Sequence, residues 1–213
     1  MTSCFRTTTP SRYTNPFATC WTRPGAIPFQ FAADDSAAHC LARLAASNWR
    51  GAIVGPHGSG KSTLLEALRP GLVDAGWNVA VIALRDGQRR LPAGWLRSSL
   101  AADRPLIVLD GYEQLSRASR LALRWRCHRA AAGLLVTAHS PVDLQTIYCS
   151  GSSLQLSCAI VSRLTARIAS PISAADVAAS HARCGSNLRE LLFELYARHE
   201  AMARGAVVES VRL

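Results

Sequence analysis

The sequence predicts an α/β fold in which a mostly parallel sheet is sandwiched by helices and followed by a small C-terminal helical lid. Two local features and one periodic pattern predict this fold. A glycine-rich loop joins an apolar strand to a helix at residues 55–63, and a fully apolar strand ends in an acid at Asp110. Strand and helix patterns alternate up to about residue 158, and only helical patterns follow. Such alternation is typical of a parallel sheet with helices on its faces.

The glycine-rich loop matches the pattern of a phosphate-binding loop, G-x-x-x-x-G-K-[S/T]. It reads Gly55-Pro56-His57-Gly58-Ser59-Gly60-Lys61-Ser62-Thr63. Ile53 and Val54 suit the end of a buried strand, and leucines at helical spacing follow the loop, which is the context that the motif requires. The glycines let the backbone curl with its N–H groups inward, and the next helix presents its positive N-terminus to phosphates. We therefore predict a P-loop NTPase fold that binds ATP through these nine residues.

Lys61 and Ser62 are the loop residues with predicted chemical roles. Lys61 is expected to reach the β- and γ-phosphates, and the Ser62 hydroxyl to ligate Mg²⁺. The chain has 24 Lys and Arg residues, and Lys61 is its only lysine. A compact ammonium fits between phosphates inside a closed backbone cradle, whereas a planar guanidinium does not. A lysine at this one position supports the prediction of a phosphate site.

Composition and charge bound the class of protein. No stretch approaches 18 uninterrupted apolar residues and no apolar secretory segment is present, so we expect a cytoplasmic protein without a membrane span. Seven scattered cysteines without a C-x-x-C pair predict free thiols. The formal net charge of +10 suits DNA or another polyanion, and equally an arginine-rich bias with solvated faces. The partner class therefore stays open between DNA and a protein.

The elements that precede the strand ending in Asp110 are predicted from helix caps, glycine and proline breakers, and apolar runs. Residues 1–35 are predicted to be a leader, unstructured to about residue 14, with an extended apolar segment from Trp21 to Phe31. The elements predicted next are a helix over 36–47, a strand over 51–54, a helix over 60–75, a strand over 77–84 and a short helix over 93–102.

The strand from Leu106 to Asp110 is apolar on both faces, which places it in the middle of a parallel sheet. Ligands bind at the carboxyl ends of such strands, so Asp110 is predicted to hold Mg²⁺ as a Walker B acid; a helix-capping Asp is the structural alternative. The elements predicted after it are a helix over 113–131, strands over 134–138 and 153–158, and helices over 159–169, 173–183 and 187–203. The predicted domains are therefore an α/β domain over residues 36–158 and a helical lid over residues 159–213.

Hydrolysis of ATP requires a positioned water, a nearby carboxylate and cations on the departing charge. Glu113 is the candidate carboxylate, because one helical turn after Asp110 returns it toward the same end of the sheet; a helix-dipole Glu is the structural alternative. Thr137 or His139, at the end of the next strand, could hydrogen-bond the water or the γ-phosphate. A loop residue without a chemical role is the alternative for both.

The order of these motifs resembles that of AAA+ ATPases. The loop at Gly55–Thr63, the strand ending in Asp110 and the polar strand end at Thr137 are followed by Ser186-Asn187-Leu188-Arg189-Glu190-Leu191, which is similar to the sensor 2 motif of the helical lid in that family. The resemblance implies that Arg189 reaches back to the γ-phosphate. The Asn15-Pro16-Phe17 lead-in is similar to that of secretion-type and transposition-helper members.

The chain departs from the AAA+ pattern at two places. Asp110-Gly111-Tyr112-Glu113 replaces the adjacent Asp-Glu pair of the family, a spacing more similar to that of STAND signalling ATPases. Residues 140–152, where the resemblance places an arginine finger, contain no Arg. The resemblance then implies either that Arg124, Arg126 or Arg129 acts in trans in an oligomer, or that ring-type hydrolysis does not occur.

Three functions are compatible with these residues. The first is an ATPase that binds ATP·Mg²⁺, hydrolyses it and signals its nucleotide state to a partner through the lid. The second is a small-molecule or nucleotide kinase, although Asp86 is the only acid near the loop at residues 85–92 that could activate an acceptor. The third is a nucleotide-dependent switch that binds ATP and turns it over slowly.

Overall fold

The computed structural model describes residues 15–32, 34–85, 87–166, 168 and 170–210, of which residues 205–210 are described by their backbone alone. The predicted leader over residues 1–14 and the acid at position 86 lie outside these ranges. In chain order the elements are α1 (Thr19–Thr22), α2 (Ala37–Ala46), β1 (Arg50–Val54), α3 (Lys61–Asp74), β2 (Asn78–Ala83), α4 (Trp95–Leu100), β3 (Pro105–Asp110), a 3-10 turn (Tyr112–Gln114), α5 (Arg117–Arg129), β4 (Gly133–Ala138), β5 (Gln145–Cys149), α6 (Leu154–Thr165), α7 (Ala174–Cys184) and α8 (Leu188–Ser210).

The five strands form one parallel sheet in the order β2-β3-β4-β1-β5. The three central strands β3, β4 and β1 are almost fully buried, whereas β2 and β5 at the edges are partly exposed. Strands that are apolar on both faces require cover on both faces. The register pairs Ala52 with Val136 and Val108 with Leu135, so the apolar runs of the central strands lie side by side.

Helices cover both faces of the sheet. On one face α2 and α3 pack against the strands, with a core that includes Leu44, Leu64 and Leu68. On the other face α4 and α5 contribute Leu96 and Leu123. The prediction of an α/β fold with a parallel sheet sandwiched by helices is therefore confirmed.

Two predicted elements are wrong. The fifth strand is Gln145–Cys149, not residues 153–158, which begin helix α6 because the Ser153 hydroxyl caps it by accepting a hydrogen bond from the Leu156 N–H at 3.1 Å. The helix predicted over residues 113–131 is divided into the 3-10 turn and α5. Ser116 begins α5 by accepting from the Ser119 N–H, and so separates the two.

The described residues form two compact units, of which Pro28–Gly151 contains the whole sheet. The other unit combines residues up to Ile27 with residues from Ser152 onward and holds α1, α6, α7 and α8. Its core consists of Phe17, Ile160, Val161, Val177, Leu191, Leu192 and Leu195. Asn15 is buried in this unit and donates to the Tyr196 carbonyl at 3.1 Å and to Glu200 Oε1 at 2.9 Å, which fixes the Asn15-Pro16-Phe17 segment on α8.

Several further expectations can be compared with the described residues. Part of the segment predicted to be extended is helical, since α1 occupies Thr19–Thr22. The six cysteines in the described ranges are free thiols, as predicted. Within the same ranges, no helix combines the length and the apolar character needed to cross a membrane.

Candidate nucleotide-binding site

The strand order brings the predicted site residues to one edge of the sheet. The glycine-rich loop follows β1, Asp110 ends β3, and β4 lies between these two strands. Because the strands are parallel, their carboxyl ends meet at the same edge, where α/β sheets bind ligands. Thr137 and His139 at the end of β4 therefore lie between the loop and Asp110.

The loop is held in a tight curl by its glycines and by β5. Gly58 and Gly60 have φ values of 69° and 89°, a left-handed conformation that glycine adopts without steric cost. The Ser59 hydroxyl bonds the Pro56 carbonyl at 2.9 Å and the Ser150 hydroxyl at 2.7 Å. Gly55 packs so closely against Ser150 that a Cβ there would overlap both the hydroxyl and the carbonyl oxygen of Ser150. The end of β5 therefore supports the loop from outside.

Lys61 begins α3 and points its ammonium into the curl. It is only 8% exposed, and its Nζ donates to the carbonyls of Gly55 at 2.6 Å and Pro56 at 2.7 Å. Burial lowers the pKa of Lys61, while the nearby carboxylates of Glu113 and Asp110 oppose the change. The Lys61 ammonium thus lies within the loop, against two of the loop's own carbonyls.

Ser62, Asp110 and Thr137 form a chain of hydrogen bonds across three elements. The Ser62 hydroxyl donates to Asp110 Oδ2 at 2.6 Å, and the buried Thr137 hydroxyl donates to Asp110 Oδ1 at 2.5 Å. Thr137 Oγ1 in turn accepts from the Gly111 N–H at 2.9 Å. Both oxygens of the Asp110 carboxylate are therefore held in fixed directions, and Thr137 positions Asp110; its predicted contact with nucleotide stays a prediction.

Glu113 lies against two histidines at the same edge. Its Oε1 is 3.3 Å from His139 Nε2, and its Oε2 is buried without a hydrogen-bond partner in the part of the chain that the structure describes. The rings of His139 and His57 are 3.4 Å apart between centroids, so a loop residue completes the cluster. Burial lowers the pKa of His139, with Lys61 and His57 acting in the same direction and the two carboxylates opposing them.

Arg120 of α5 fixes the turn that carries Glu113. Its Nε donates to the Leu115 carbonyl at 2.9 Å and its Nη2 to the Glu113 carbonyl at 2.7 Å. Its guanidinium also lies over the Tyr112 ring, 5.2 Å from the centroid. A planar guanidinium with several donors suits this combination of two carbonyls and a ring.

The residues at this edge fit Mg²⁺. No group of three or more His, Cys, Asp and Glu side chains in the described ranges could hold a metal by itself. Mg²⁺ differs from such cage-bound metals, since it is usually held by one or two carboxylates together with substrate phosphates and water. Ser62 and Asp110 supply one hydroxyl and one fixed carboxylate beside the loop.

The structure brings most of the predicted site residues together within one of the two units. The nine loop residues, Asp110, Glu113, Thr137 and His139 all belong to the unit that contains the sheet. Arg189 belongs to the other unit, exposed in the first turn of α8, which Asn187 caps by accepting from the Glu190 N–H at 3.2 Å. Its predicted contact with the γ-phosphate stays a prediction.

Sequence reasoning missed Ser150, Arg120 and the contact of His57 with His139. Ser150 is 91 residues from Ser59, and His57 is 82 residues from His139. Only the strand order brings these pairs together, and no local pattern contains that order. Arg120 is one of five arginines in α5, and nothing in the sequence distinguishes it from its neighbours.

Comparison with known proteins supports the fold. No protein-family model and no curated protein matches the sequence. The structure is similar to the Aeropyrum pernix Orc1 protein in complex with DNA, with a TM-score of 0.61 and 15% identity over 86% of this chain and 64% of that chain. It is also similar to a mutant of Thermogota maritima RuvB, with a TM-score of 0.50 and 10% identity over 74% of this chain and 60% of that chain.

Both similar proteins are AAA+ P-loop ATPases, and the chain spans less than two thirds of the length of each. At 10–15% identity the similarity shows the fold. The predicted resemblance to AAA+ ATPases is therefore confirmed at the level of the fold: the chain has the fold of an AAA+-like P-loop ATPase.

Proposed function

We propose that this protein binds ATP with Mg²⁺ and hydrolyses it. The observation that carries the proposal is the convergence of the loop ammonium of Lys61 with the hydrogen-bonded chain from Ser62 through Asp110 to Thr137. Phosphoryl transfer depends mainly on positioning and on stabilisation of charge. This edge supplies a buried cation, a fixed carboxylate and a tightly curled loop whose Gly58 and Gly60 have positive φ angles.

The residues divide the work of the reaction. The loop N–H groups and Lys61 bind the phosphates. Ser62 and Asp110 would hold Mg²⁺, which would neutralise charge on the phosphates. Glu113 accepts a proton from the attacking water, and His139 holds its Oε1, leaving the buried Oε2 without a partner in the described part of the chain. An unpaired carboxylate oxygen in a buried position suits an acceptor of protons.

We further propose that the protein signals its nucleotide state through the lid to DNA. Arg189 in the first turn of α8 is the candidate reporter of the γ-phosphate. A formal net charge of +10 suits a polyanionic partner, and the similar Orc1 protein was solved in complex with DNA. A protein partner is the alternative that the same charge leaves open.

The test is release of phosphate from ATP by the purified full chain, with and without DNA. Lys61→Ala is expected to abolish ATP binding and turnover, because the loop loses the cation that contacts the phosphates. Arg69→Ala is the matched control, since Arg69 is an exposed basic residue on the same helix α3 and is expected to leave turnover unchanged. Wild-type protein that binds no ATP would overturn the proposal.

A slow nucleotide-dependent switch is the second candidate function. It is favoured by the contact of Glu113 with His139, because the Oε1 atom engaged by the imidazole is not free to accept a proton from water. Single-turnover rates separate the two functions. A hydrolase loses about 10²–10⁴-fold in rate with Glu113→Gln, which is the usual contribution of a general base, whereas a switch is already slow and changes little.

A further inference from the structure

Helix α5 presents an exposed face that combines arginines with two large apolar side chains. Leu121 is 69% exposed and Trp125 is 58% exposed, one helical turn apart, while Leu123 and Cys127 on the opposite side are buried in the core. We name this surface the basic face. It comprises Arg89, Arg90, Arg117, Leu121, Trp125, Arg126 and Arg129.

The charge of α5 has one sign. The helix contains five arginines and no Asp or Glu. Arg120 is bound to backbone carbonyls and Arg124 to Asp143 at 3.3 Å. The other three, Arg117, Arg126 and Arg129, are exposed, and none of them forms an ion pair with any residue that the structure describes. Three guanidinium groups are therefore available to an anionic partner.

The loop before α4 extends this surface. The Arg89 carbonyl accepts from the Ser116 N–H at 3.1 Å and from the Ser119 hydroxyl at 3.0 Å, which fixes this loop beside the start of α5. Arg89 and Arg90 are both exposed there. The arginine pair of this loop therefore lies beside the arginines of α5, although the two sets are far apart in the sequence.

The exposed indole of Trp125 indicates which class of anionic partner this surface can bind. Arg129 lies over its ring, 5.3 Å from the centroid, so a cation and an aromatic ring are presented together. Surfaces that combine guanidinium groups with an exposed aromatic ring bind phosphates along a strand and stack on its unpaired bases. Paired bases inside a duplex are not accessible to such a ring, so the exposed indole favours a single strand.

We propose that the basic face binds single-stranded DNA, with its arginines on the phosphates and Trp125 stacked on a base. The proposal rests on the part of the proposed function that names DNA as the partner, and it does not depend on ATP turnover. Leu121 widens the apolar centre beside Trp125, and the arginines on either side of this centre set the path of the strand.

The experiment measures binding of a labelled single-stranded oligonucleotide to the full chain by fluorescence anisotropy over a range of salt concentrations. The triple variant Arg117→Gln, Arg126→Gln, Arg129→Gln is expected to bind more weakly, with a log–log salt dependence less steep by about 2, since each phosphate contact on a single strand contributes about 0.7. Trp125→Ala is expected to weaken binding by about 5- to 150-fold without changing the salt dependence.

A matched triple variant controls for net charge. Arg69→Gln, Arg97→Gln, Arg163→Gln removes the same charge from exposed positions of α3, α4 and α6 and is expected to retain most of the binding. Thermal unfolding of each variant checks that it is folded, and each is compared with wild type only where its melting is preserved. Because all the altered side chains are exposed, unfolding temperatures close to that of wild type are expected.

Four outcomes would overturn the proposal: equal loss of binding in both triple variants, tighter binding of the matching duplex, tighter binding of the matching RNA strand, or no binding at low salt. Salt-dependent binding of an acidic peptide but not of DNA would also replace it with a protein partner. Protein that hydrolyses ATP but fails the DNA test contradicts this inference alone. Protein that binds single-stranded DNA through this face but does not hydrolyse ATP contradicts the proposed hydrolysis alone.

Discussion

His139 Nε2 lies 3.3 Å from Glu113 Oε1, although the two residues belong to different elements and are 26 positions apart in the sequence. The contact exists because β4 lies beside β3 in the sheet, so the residue after β4 meets the turn after β3. It fixes one oxygen of the carboxylate and leaves the other buried.

The environment of His139 predicts a dependence of stability on pH. The groups that face the imidazole are Glu113, His57, Lys61 and Asp110. Burial, together with Lys61 and His57, lowers the pKa of His139 in the folded state, against the opposing effect of the two carboxylates. The unfolded chain therefore binds more protons below a pH of about 6.5, the ordinary pKa of histidine. The contribution of His139 to the free energy of unfolding is expected to be fully present above a pH of about 6.5 and to decrease as the pH falls toward the lowered folded pKa.

The measurement is urea unfolding of wild type and of His139→Gln between pH 8 and pH 5. The difference in free energy of unfolding between them isolates His139 from the other histidines. Wild type is expected to lose stability relative to the variant as the pH falls through this window. A difference that is constant with pH, or one that grows in favour of wild type at low pH, would contradict the assigned direction.

Arg120 is predicted to support both the fold and the candidate base. Arg120→Gln removes the donors to the carbonyls of Leu115 and Glu113 and the contact over Tyr112, so the free energy of unfolding is expected to fall by about 1–3 kcal/mol. Turnover of ATP is expected to fall as well, because the turn that carries Glu113 loosens.

The control for Arg120 lies on the same helix. Arg126→Gln removes an exposed arginine without a described ion pair, and its free energy of unfolding is expected to change by less than about 0.5 kcal/mol. Calorimetric unfolding compares the two variants. Equal unfolding temperatures would show that the two carbonyl contacts of Arg120 contribute nothing to stability.

Gly55 is predicted to tolerate no side chain. In Gly55→Ala the new methyl group would overlap the hydroxyl and carbonyl oxygens of Ser150 and crowd Ser59, and overpacking of this kind costs about 1–3 kcal/mol. Binding of an ATP analogue is expected to weaken, because the loop must move away from β5 to make room. Isothermal titration with the analogue and thermal unfolding measure the two effects.

Gly151→Ala is the matched control for Gly55. It adds the same methyl group at a position where no heavy atom lies within 4 Å of the new Cβ and where φ is not positive. Both affinity and unfolding temperature are expected to stay at wild-type values. Retained affinity in Gly55→Ala would mean that the loop does not depend on its contact with Ser150.

The sequence was sufficient for the features that are local. The glycines and Lys61 predict the loop, and an apolar run ending in an acid predicts β3, because in both cases the residues that form the feature are consecutive. The position of β5 was not predictable in the same way. Gln145–Cys149 is a partly exposed edge strand with one fully buried side chain, Ile147, so its pattern is weaker than the alternating leucines at 154 and 156 that begin α6.

The site required the strand order as well as the motifs. The spacing of Glu113 from Asp110 suggested one helical turn, and the structure replaces that turn with a left-handed Gly111 and a 3-10 turn. The Glu113 carboxylate still lies at the carboxyl edge of the sheet. It contacts His139, while Arg120 donates to the Glu113 backbone carbonyl. These contacts cross between elements, and their geometry depends on packing that a linear pattern does not contain.

The contact of Asn15 with Tyr196 and Glu200 has a consequence for the order of events during synthesis. The sheet-bearing unit is continuous from Pro28 to Gly151, whereas the helical unit combines residues on either side of it. Translation adds about 5–20 residues per second, so roughly 50 more residues, or about 3–10 seconds, separate completion of the sheet from the appearance of Glu200. Asn15 and Phe17 are thus translated before the whole sheet and reach their native neighbours after it.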